Sequence, residues 1–283
     1  MSKLRNFTKE LMAKFKEDNV PLLAASQAYY YLLSIFPLLI VGFTILPYLN
    51  IQPQQAVDFI GNILPAEIAS VLQENVVNLI DTPRGGLLTV GIIGALWSAS
   101  NAVNAFIKAS NEAYEVEETR NFIVVRLIAL GLTLGMIISI AVAFLLPIFG
   151  NVIINFIESS IGLPPGTSLM LQVLRWAISI VILTAILLVL YHVAPNKKLP
   201  FKHILPGALT SSVLWQLTSL GFSFYVSNFG NYSATYGSLG GIIILMIWFF
   251  LTGLILMTGA VINVLYHKKQ IVWDTEKQQA SNI

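Results

Sequence analysis

Residues 97–126 read WSASNAVNAFIKASNEAYEVEETRNFIVVR, and this stretch decides how the chain is organised because it places amides and a lysine in an otherwise apolar segment. If residues 86–111 form one helix, five side chains spaced three or four residues apart fall on a single arc of roughly 80°: Trp97, Asn101, Asn104, Lys108 and Asn111. Unpartnered polar groups in lipid cost free energy on the order of kcal/mol each, so we expect this stripe to face protein or a water-filled space.

The composition around this stretch is that of an integral membrane protein. Of the 283 residues, 56% are hydrophobic and only 11% are charged, whereas charged residues make up about a quarter of a soluble domain. The mean hydropathy of +0.76 agrees with this class. A net charge of +2 is too small to indicate a nucleic-acid partner. The absence of cysteine excludes disulfides, thiolate metal sites and cysteine nucleophiles.

Six apolar segments are long enough to cross about 30 Å of hydrocarbon. They predict spans at about residues 22–49, 86–111, 121–150, 167–194, 204–228 and 239–266. The sequence therefore predicts an all-α integral membrane protein, with a six-helix transmembrane domain over residues 21–267 and a polar tail over 268–283. Between the first two spans, residues 51–84 combine prolines, acidic residues and helical periodicity, which predicts amphipathic helices on the outer face. Re-entry of that segment into the membrane is the alternative.

The distribution of lysine and arginine predicts the orientation. Fourteen of the 16 lie in the first 20 residues, in or around the two turns that follow spans two and four, and in the tail. The positive-inside rule therefore places both termini in the cytoplasm. Within residues 1–20, Leu4, Phe7, Leu11 and Phe15 recur at helical spacing between basic residues. We expect this amphipathic helix to lie on an anionic membrane surface, the alternative being a solvated lead-in with snorkelling lysines.

Polar side chains from several spans are predicted to lie toward the cytoplasmic half, where they could form one inward-facing hydrophilic cavity. Cross-linking of neighbouring helices by hydrogen bonds is the alternative. Lys108 and Glu112, one helical turn apart, favour the cavity because they add charge that helix packing does not require. The candidate cavity or substrate-binding residues are Gln27, Tyr30, Ser34, Asn101, Asn104, Lys108, Asn111, Glu112, Arg120, His192, Tyr236 and Asn263.

The acidic run after span two includes glutamates at 112, 115, 117 and 118, which repel one another at a helix end. We expect Arg120 and Arg126 to offset this repulsion by pairing with Glu112 or Glu115, which would latch spans two and three together.

No motif for enzyme chemistry is present. The three histidines, His192, His203 and His267, lie at separate predicted helix ends, and metal-dependent phosphodiester cleavage requires converging carboxylates or histidines. No glycine-rich phosphate loop occurs either. The sequence therefore predicts no catalytic residues, no metal site, no cofactor and no ribonuclease activity.

Four blocks of the sequence resemble the YihY/BrkB family of bacterial inner-membrane proteins. They are AASQAYYYLLSIFPLL (24–39), WSASNAVNAFIKASNEAYEVEETR (97–120), the pair Pro206-Gly207, and YGSLGGIIILMIWFFLTGLILMTGAVIN (236–263). The resemblance implies six membrane helices in the bacterial plasma membrane. Members of the family have been labelled virulence or serum-resistance factors and ribonuclease BN, and a transport role is commonly supposed. The characteristic positions of the family correspond here to Gln27, Tyr30, Pro37, Trp97, Asn101, Asn111, Arg120, Pro195, Pro206, Gly207, Tyr236, Gly237 and Gly259.

Two functional hypotheses follow. The first is a transporter or exporter in which the polar stripe binds a small solute or a lipid head group. The second is a structural or scaffolding protein of the cell envelope in which the same stripe packs helices. Membrane lipids are the expected partners in both, nucleic acid is not expected, and a homo-oligomer is compatible with either.

Overall fold

The structure is a computed structural model that describes residues 2–45, 85–136, 167–229 and 239–281. Within these ranges every regular element is an α-helix. The helices are α1 (Ser2–Glu17), α2 (Val20–Ile45), α3 (Gly85–Ala113), α4 (Phe122–Met136), α5 (Thr167–Val193), α6 (Phe201–Phe229) and α7 (Leu239–Ser281). The outer segment predicted at 51–84, the second half of predicted span three and Tyr236 lie outside the described residues.

Three of these helices contain stretches long and apolar enough to cross a membrane, namely Thr89–Ala113 in α3, Trp176–Val193 in α5 and Gly240–Ile271 in α7. For the residues that the structure describes, the prediction of an all-α protein with membrane-capable helices is confirmed. The count of six spans and the cytoplasmic position of both termini stay predictions. α7 continues as far as Ser281, so much of the segment predicted as a polar tail extends this helix by about four turns.

Contacts divide the chain into two compact units. The first unit contains Met1–Val20, Ile107–Leu217 and Ile255–Ile283, and the second contains Pro21–Phe106 and Thr218–Leu254.

In the first unit, α6 and α7 approach closely at two glycines. A Cβ atom on Gly207 would overlap the backbone carbonyl of Gly259 and the side chain of Asn263. Beside this contact the Tyr191 hydroxyl donates to the Leu256 carbonyl at 2.7 Å and shares a 2.9 Å hydrogen bond with Ser211. Because only glycine leaves room for this backbone approach, the glycine pair fixes how α5, α6 and α7 pack.

In the second unit, α2 packs against α3 and α7. The Ser98 hydroxyl donates to the Leu33 carbonyl at 3.2 Å. The rings of Tyr31 and Phe249 meet edge to face with their centroids 5.7 Å apart. Interhelical contacts of this kind hold helices together where lipid supplies no hydrophobic driving force.

Candidate functional site

Five predicted candidates lie in the second unit, on α2 and α3. Gln27 is fully buried, and its amide donates to the Leu23 carbonyl at 3.3 Å and accepts from the Tyr31 hydroxyl at 3.2 Å. Ser34 donates to the Tyr31 carbonyl at 2.7 Å. These polar groups of α2 therefore form hydrogen bonds within their own helix. The remaining candidates here are half-buried: Tyr30, Asn101 and Asn104.

Lys108 and Glu112 lie in the first unit, near the end of α3, and both side chains are exposed. Within the described residues, the Lys108 ammonium forms no hydrogen bond or ion pair. Lys108 also lies inside the apolar stretch Thr89–Ala113. An unpaired ammonium in a membrane helix must reach water, a lipid head group or a polar ligand, because hydrocarbon solvates it poorly.

Asn111 and Arg120 belong to a hydrogen-bonded network between the end of α3, the loop before α4 and the turn between α5 and α6. Asn111 is buried, and its amide donates to Glu118 Oε2 at 2.8 Å and accepts from the Asn196 backbone N–H at 2.7 Å. Asn196 in turn donates to the Glu117 carbonyl and the Thr119 hydroxyl, both at 2.8 Å. Asn111 therefore links two connections of the fold.

Arg120 pairs with Glu118, so the prediction that its partner is Glu112 or Glu115 is wrong. Its guanidinium donates to the two Glu118 carboxylate oxygens at 2.7 and 2.6 Å, and also to the Ala194 carbonyl at 2.9 Å. The hydrogen bond to Ala194 satisfies a carbonyl at the C-terminus of α5, where the helix dipole favours a cation. The Arg120 hydrogen bonds lower the pKa of the Glu118 carboxyl below its usual value.

Glu115 instead accepts from two lysines on different helices. Lys14 Nζ of α1 donates to Glu115 Oε1 at 2.7 Å, and Lys268 Nζ of α7 lies 3.0 Å from both carboxylate oxygens. We call Lys14, Glu115 and Lys268 the ionic clasp. Hydrogen bonds from Lys14 and then Lys268 lower the pKa of Glu115 to about 2. The stabilisation from Glu115 is therefore present above its ordinary pKa of 4.5 and is lost as the pH falls toward 2.

The buried partner in the clasp is Lys14, whose side chain is 7% exposed. It also donates to Asp18 Oδ1 at 2.7 Å. Burial lowers the pKa of Lys14, but its hydrogen bonds to Asp18 and Glu115 outweigh burial and raise the pKa above the usual value. Burial raises the pKa of Asp18, which is the opposite of the shift at Glu115.

Sequence reasoning missed that Lys14 of α1 and Asp18 in the turn after it lie on the side that meets the rest of the first unit. The signal was available, because Phe7, Leu11, Lys14 and Asp18 are four, three and four residues apart. Phe7 and Leu11 are half-buried, while Lys14 and Asp18 are buried. Much of the face that we expected to lie on a membrane surface therefore contacts protein.

Two of the three histidines lie together, whereas their sequence positions suggested that all three are apart. His203 Nδ1 and His267 Nδ1 lie 2.8 Å apart and share a hydrogen bond between α6 and α7. His192 contacts the Leu199 carbonyl at 3.1 Å and stacks on Phe201. Among the described residues, no group of three or more histidines, aspartates or glutamates is arranged to hold a metal ion.

The last described candidate, Asn263, is fully buried on α7, and its side-chain oxygen accepts from the Gly207 backbone N–H at 2.9 Å. The structure therefore brings Asn111 and Arg120 into one network, and it places Asn263 at the glycine contact of α6 and α7. Lys108 and Glu112 share the exposed face of α3 in the same unit.

This chain matches one family model and is similar to several proteins that are named membrane proteins. The family model described as virulence factor BrkB matches residues 11–283. The ribonuclease-like protein YfkH of Bacillus subtilis is 42% identical over 268 residues, which cover 94% of this chain and 96% of that protein. A UPF0761 membrane protein of Photobacterium profundum is 33% identical over 89% of this chain and 78% of its own length.

A further UPF0761 membrane protein, from Pseudoalteromonas atlantica, is 26% identical over 95% of this chain and 90% of its own length. No solved structure matches the chain. The match of the family model over nearly the whole length, together with membrane proteins as relatives, agrees with the apolar helices described above. The chain therefore belongs to the virulence factor BrkB family and is a membrane protein.

Proposed function

We propose that this protein is a multi-pass transporter or exporter of the bacterial plasma membrane, which moves a polar or lipid-linked solute through an inward-facing polar cavity. The observation that carries the proposal is the exposed Lys108 ammonium, which lies within the membrane-capable stretch Thr89–Ala113. Lys108 lies five residues before the end of that stretch. An ammonium there costs less than the roughly 3 kcal/mol of a lysine at the centre of a membrane helix, but it still requires a polar environment. A solvated cavity provides that environment, and an anionic or polar solute provides a partner.

The contacts of the first unit support a topology with six spans and both termini in the cytoplasm. Lys14 and Lys268 tie the end of α1 and the last part of α7 to the loop after α3. Asn111 and Arg120 tie that loop to the turn between α5 and α6. The chain segments joined by these contacts are the ones that carry the excess of lysine and arginine. The positive-inside rule places such segments in the cytoplasm.

The topology predicts the labelling of single cysteines introduced into a chain that has none of its own. Cysteines replacing Lys198 and Lys269 should be protected from impermeant thiol reagents in intact cells, because both positions would face the cytoplasm. Cysteines replacing Asp81 and Asn231 should react. Labelling of the Lys198 position from outside would contradict the orientation, and permeabilised cells provide the control for thiol reactivity.

If the polar cavity exists, Asn101→Leu combined with Lys108→Leu should leave the protein folded and inserted. Its activity should fall at least about tenfold, which corresponds to roughly 1.4 kcal/mol of lost binding free energy. Complementation of a deletion strain measures the activity, and Lys202→Leu is the control because Lys202 is also exposed. Leucine costs less than asparagine or lysine in hydrocarbon, so a stripe that merely faces lipid should tolerate both changes. Full complementation by the double variant would reject the cavity.

A structural or scaffolding role is the second candidate, and a specific observation favours it. Asn111, Tyr191 and Asn263 are buried, and each forms hydrogen bonds to another segment of the chain. Polar groups used in this way hold helices together and need no solute. The double variant distinguishes the two roles, because a scaffold with the same helix contacts would retain its activity.

A further inference from the structure

In the first unit, α6 and α7 meet through a series of contacts spaced four residues apart. Moving four residues forward on α6 and four residues back on α7 leads from one contact to the next. The contacts are those of His203 with His267, Gly207 with Asn263, and Ser211 with Gly259. This pattern is that of two antiparallel helices that use one face each. The histidine pair is the outermost of these three contacts, so it closes one end of the interface.

The geometry of the histidine pair fits a shared proton. The two Nδ1 atoms are 2.8 Å apart, and the two ring centres are 5.0 Å apart. The lone pair of a ring nitrogen points directly away from the ring centre. A separation of 5.0 Å is close to the largest that this nitrogen contact permits, so each lone pair points at the other nitrogen. A metal ion bound by both nitrogens would instead require the lone pairs to converge on a third point, with the ring centres closer together.

The number of protons on the pair decides whether this hydrogen bond exists. One Nδ1 atom must carry a proton and the other must accept it. Two neutral rings meet this condition, and so does one imidazolium beside one neutral ring. Two imidazolium rings do not, because both Nδ1 atoms are then donors. The pair therefore keeps its hydrogen bond when it gains one proton and loses the bond when it gains a second.

The surroundings of the pair oppose that second proton. Lys197, in the turn between α5 and α6, acts electrostatically on His267. His203 is only 7% exposed, and the edge of the Tyr266 ring meets it with the ring centres 6.1 Å apart, so solvent screens a charge there poorly. Within the part of the chain that the structure describes, no carboxylate pairs with either histidine. The acidic side chains that reach this part of α7 from other elements are bound to lysines: Glu115 to Lys268 and Glu10 to Lys269.

We propose that His203 and His267 form a pH-sensitive contact, which closes the end of the interface between α6 and α7 at neutral pH and opens when acid charges both rings. The contact of Gly207 with Gly259 lies further along the interface and does not titrate. Opening therefore separates the helices from the histidine end while they stay packed at the glycines. The contact gives the protein a response to pH that is independent of the proposed transport.

The sign of the pH effect follows from the same proton count. In the unfolded chain each of the two rings accepts a proton near the ordinary histidine pKa of about 6.5. In the folded protein the second proton is accepted only with loss of the hydrogen bond. The unfolded state therefore binds more protons in this range, and the stability that the pair contributes is lost as the pH falls below about 6.5.

Spin labels on two introduced cysteines measure the opening. Lys202→Cys and Ile271→Cys are suitable because both side chains are exposed and lie beside the pair on α6 and α7, in a chain without cysteine of its own. The distance between the labels in the purified protein should increase by a few ångströms when the pH is lowered from about 8 to about 5. Glu115 stays ionised over this range because its pKa is about 2, so its ion pairs do not respond.

His267→Asn tests whether the pair causes the change. The asparagine amide can accept from the His203 Nδ1–H whether or not that ring is charged, so the distance between the labels should no longer depend on pH. His192→Asn is the matched control, because His192 is a half-buried histidine outside the pair, and it should leave the pH response unchanged. A constant distance without His267→Asn, or a pH response that persists with it, overturns the proposal.

Thermal unfolding gives a second measurement that needs no labels. Between about pH 8 and pH 5, the unaltered protein should lose about 2 to 4 °C more of its unfolding midpoint than His267→Asn, the shift expected from one hydrogen bond. His203→Asn should behave like His267→Asn, so the test remains available if one of the two variants fails to fold. Equal losses in the unaltered protein and in the variants would show that the pair does not respond to pH and would reject the proposal.

Discussion

Gly207→Ala is expected to lower the free energy of unfolding by about 1 to 3 kcal/mol or more, as overfilling a close-packed helix contact does. The added methyl group would overlap the Gly259 carbonyl and the Asn263 side chain. A backbone carbonyl cannot rotate away, so α6 and α7 would have to separate. The hydrogen bond from the Gly207 N–H to Asn263 would then lengthen, as would at least one of the two that join Tyr191 to α6 and α7. The shift in the thermal unfolding midpoint of the purified protein in detergent measures this effect.

Gly221→Ala is the matched control on the same helix. A Cβ atom there meets nothing within 4 Å, and alanine favours a helix over glycine by up to about 1 kcal/mol. The control should therefore hold or raise the midpoint that Gly207→Ala lowers. Similar midpoints for the two variants would show that the contact between α6 and α7 tolerates a methyl group and does not fix their packing.

Gly259→Ala provides a further distinction, because two of its obstacles are side-chain hydroxyls, those of Ser211 and Tyr191. Ser211→Ala should restore part of the stability lost in Gly259→Ala. Asn263→Ala should restore little in Gly207→Ala, because the backbone overlap with Gly259 remains.

The sequence predicted where helices occur because hydrophobic periodicity and length depend on local residues alone. The predicted spans at 86–111, 167–194 and 204–228 agree within a few residues with α3, α5 and α6. The prediction for the sixth span ended at 266, whereas α7 continues to Ser281. A run of polar residues ends a membrane span but not a helix, so hydropathy could not locate the end of α7.

Contacts between helices were harder to predict, because they depend on crossing geometry and on residues far apart in the chain. Gly131 and Gly135 form the GxxxG pattern, yet a Cβ at either position meets no described atom within 4 Å. The close contact is instead made by Gly207 on α6 and Gly259 on α7. Lys14 and Glu115 are 101 residues apart, and no periodicity within one helix could pair them. The spacing of residues within one helix predicts which face of that helix is buried. Which residue of another helix contacts that face can be known only from the tertiary structure.

Arg120→Gln is expected to lower the free energy of unfolding by about 2 to 4 kcal/mol, the range for breaking partly buried, charge-assisted hydrogen bonds. The Arg120 side chain is 16% exposed, so solvent replaces its contacts poorly. The change removes the two guanidinium hydrogen bonds to Glu118 and leaves the Val193 and Ala194 carbonyls without this partner. Lys197→Gln, at an exposed position in the neighbouring turn, should shift stability by no more than about 0.5 kcal/mol.

Charge-swap variants distinguish a simple ion pair from a helix cap. Arg120→Glu combined with Glu115→Arg exchanges the charges of a pair that the sequence predicted. This swap should restore nothing, because Glu115 pairs with Lys14 and Lys268. Arg120→Glu combined with Glu118→Arg restores opposite charges but directs a carboxylate at the C-terminal carbonyls of α5, where the helix dipole disfavours it. We therefore expect its unfolding midpoint to stay near that of Arg120→Gln. Recovery in the Glu118 swap would mean that the ion pair alone matters and that the carbonyls of Val193 and Ala194 are satisfied in another way.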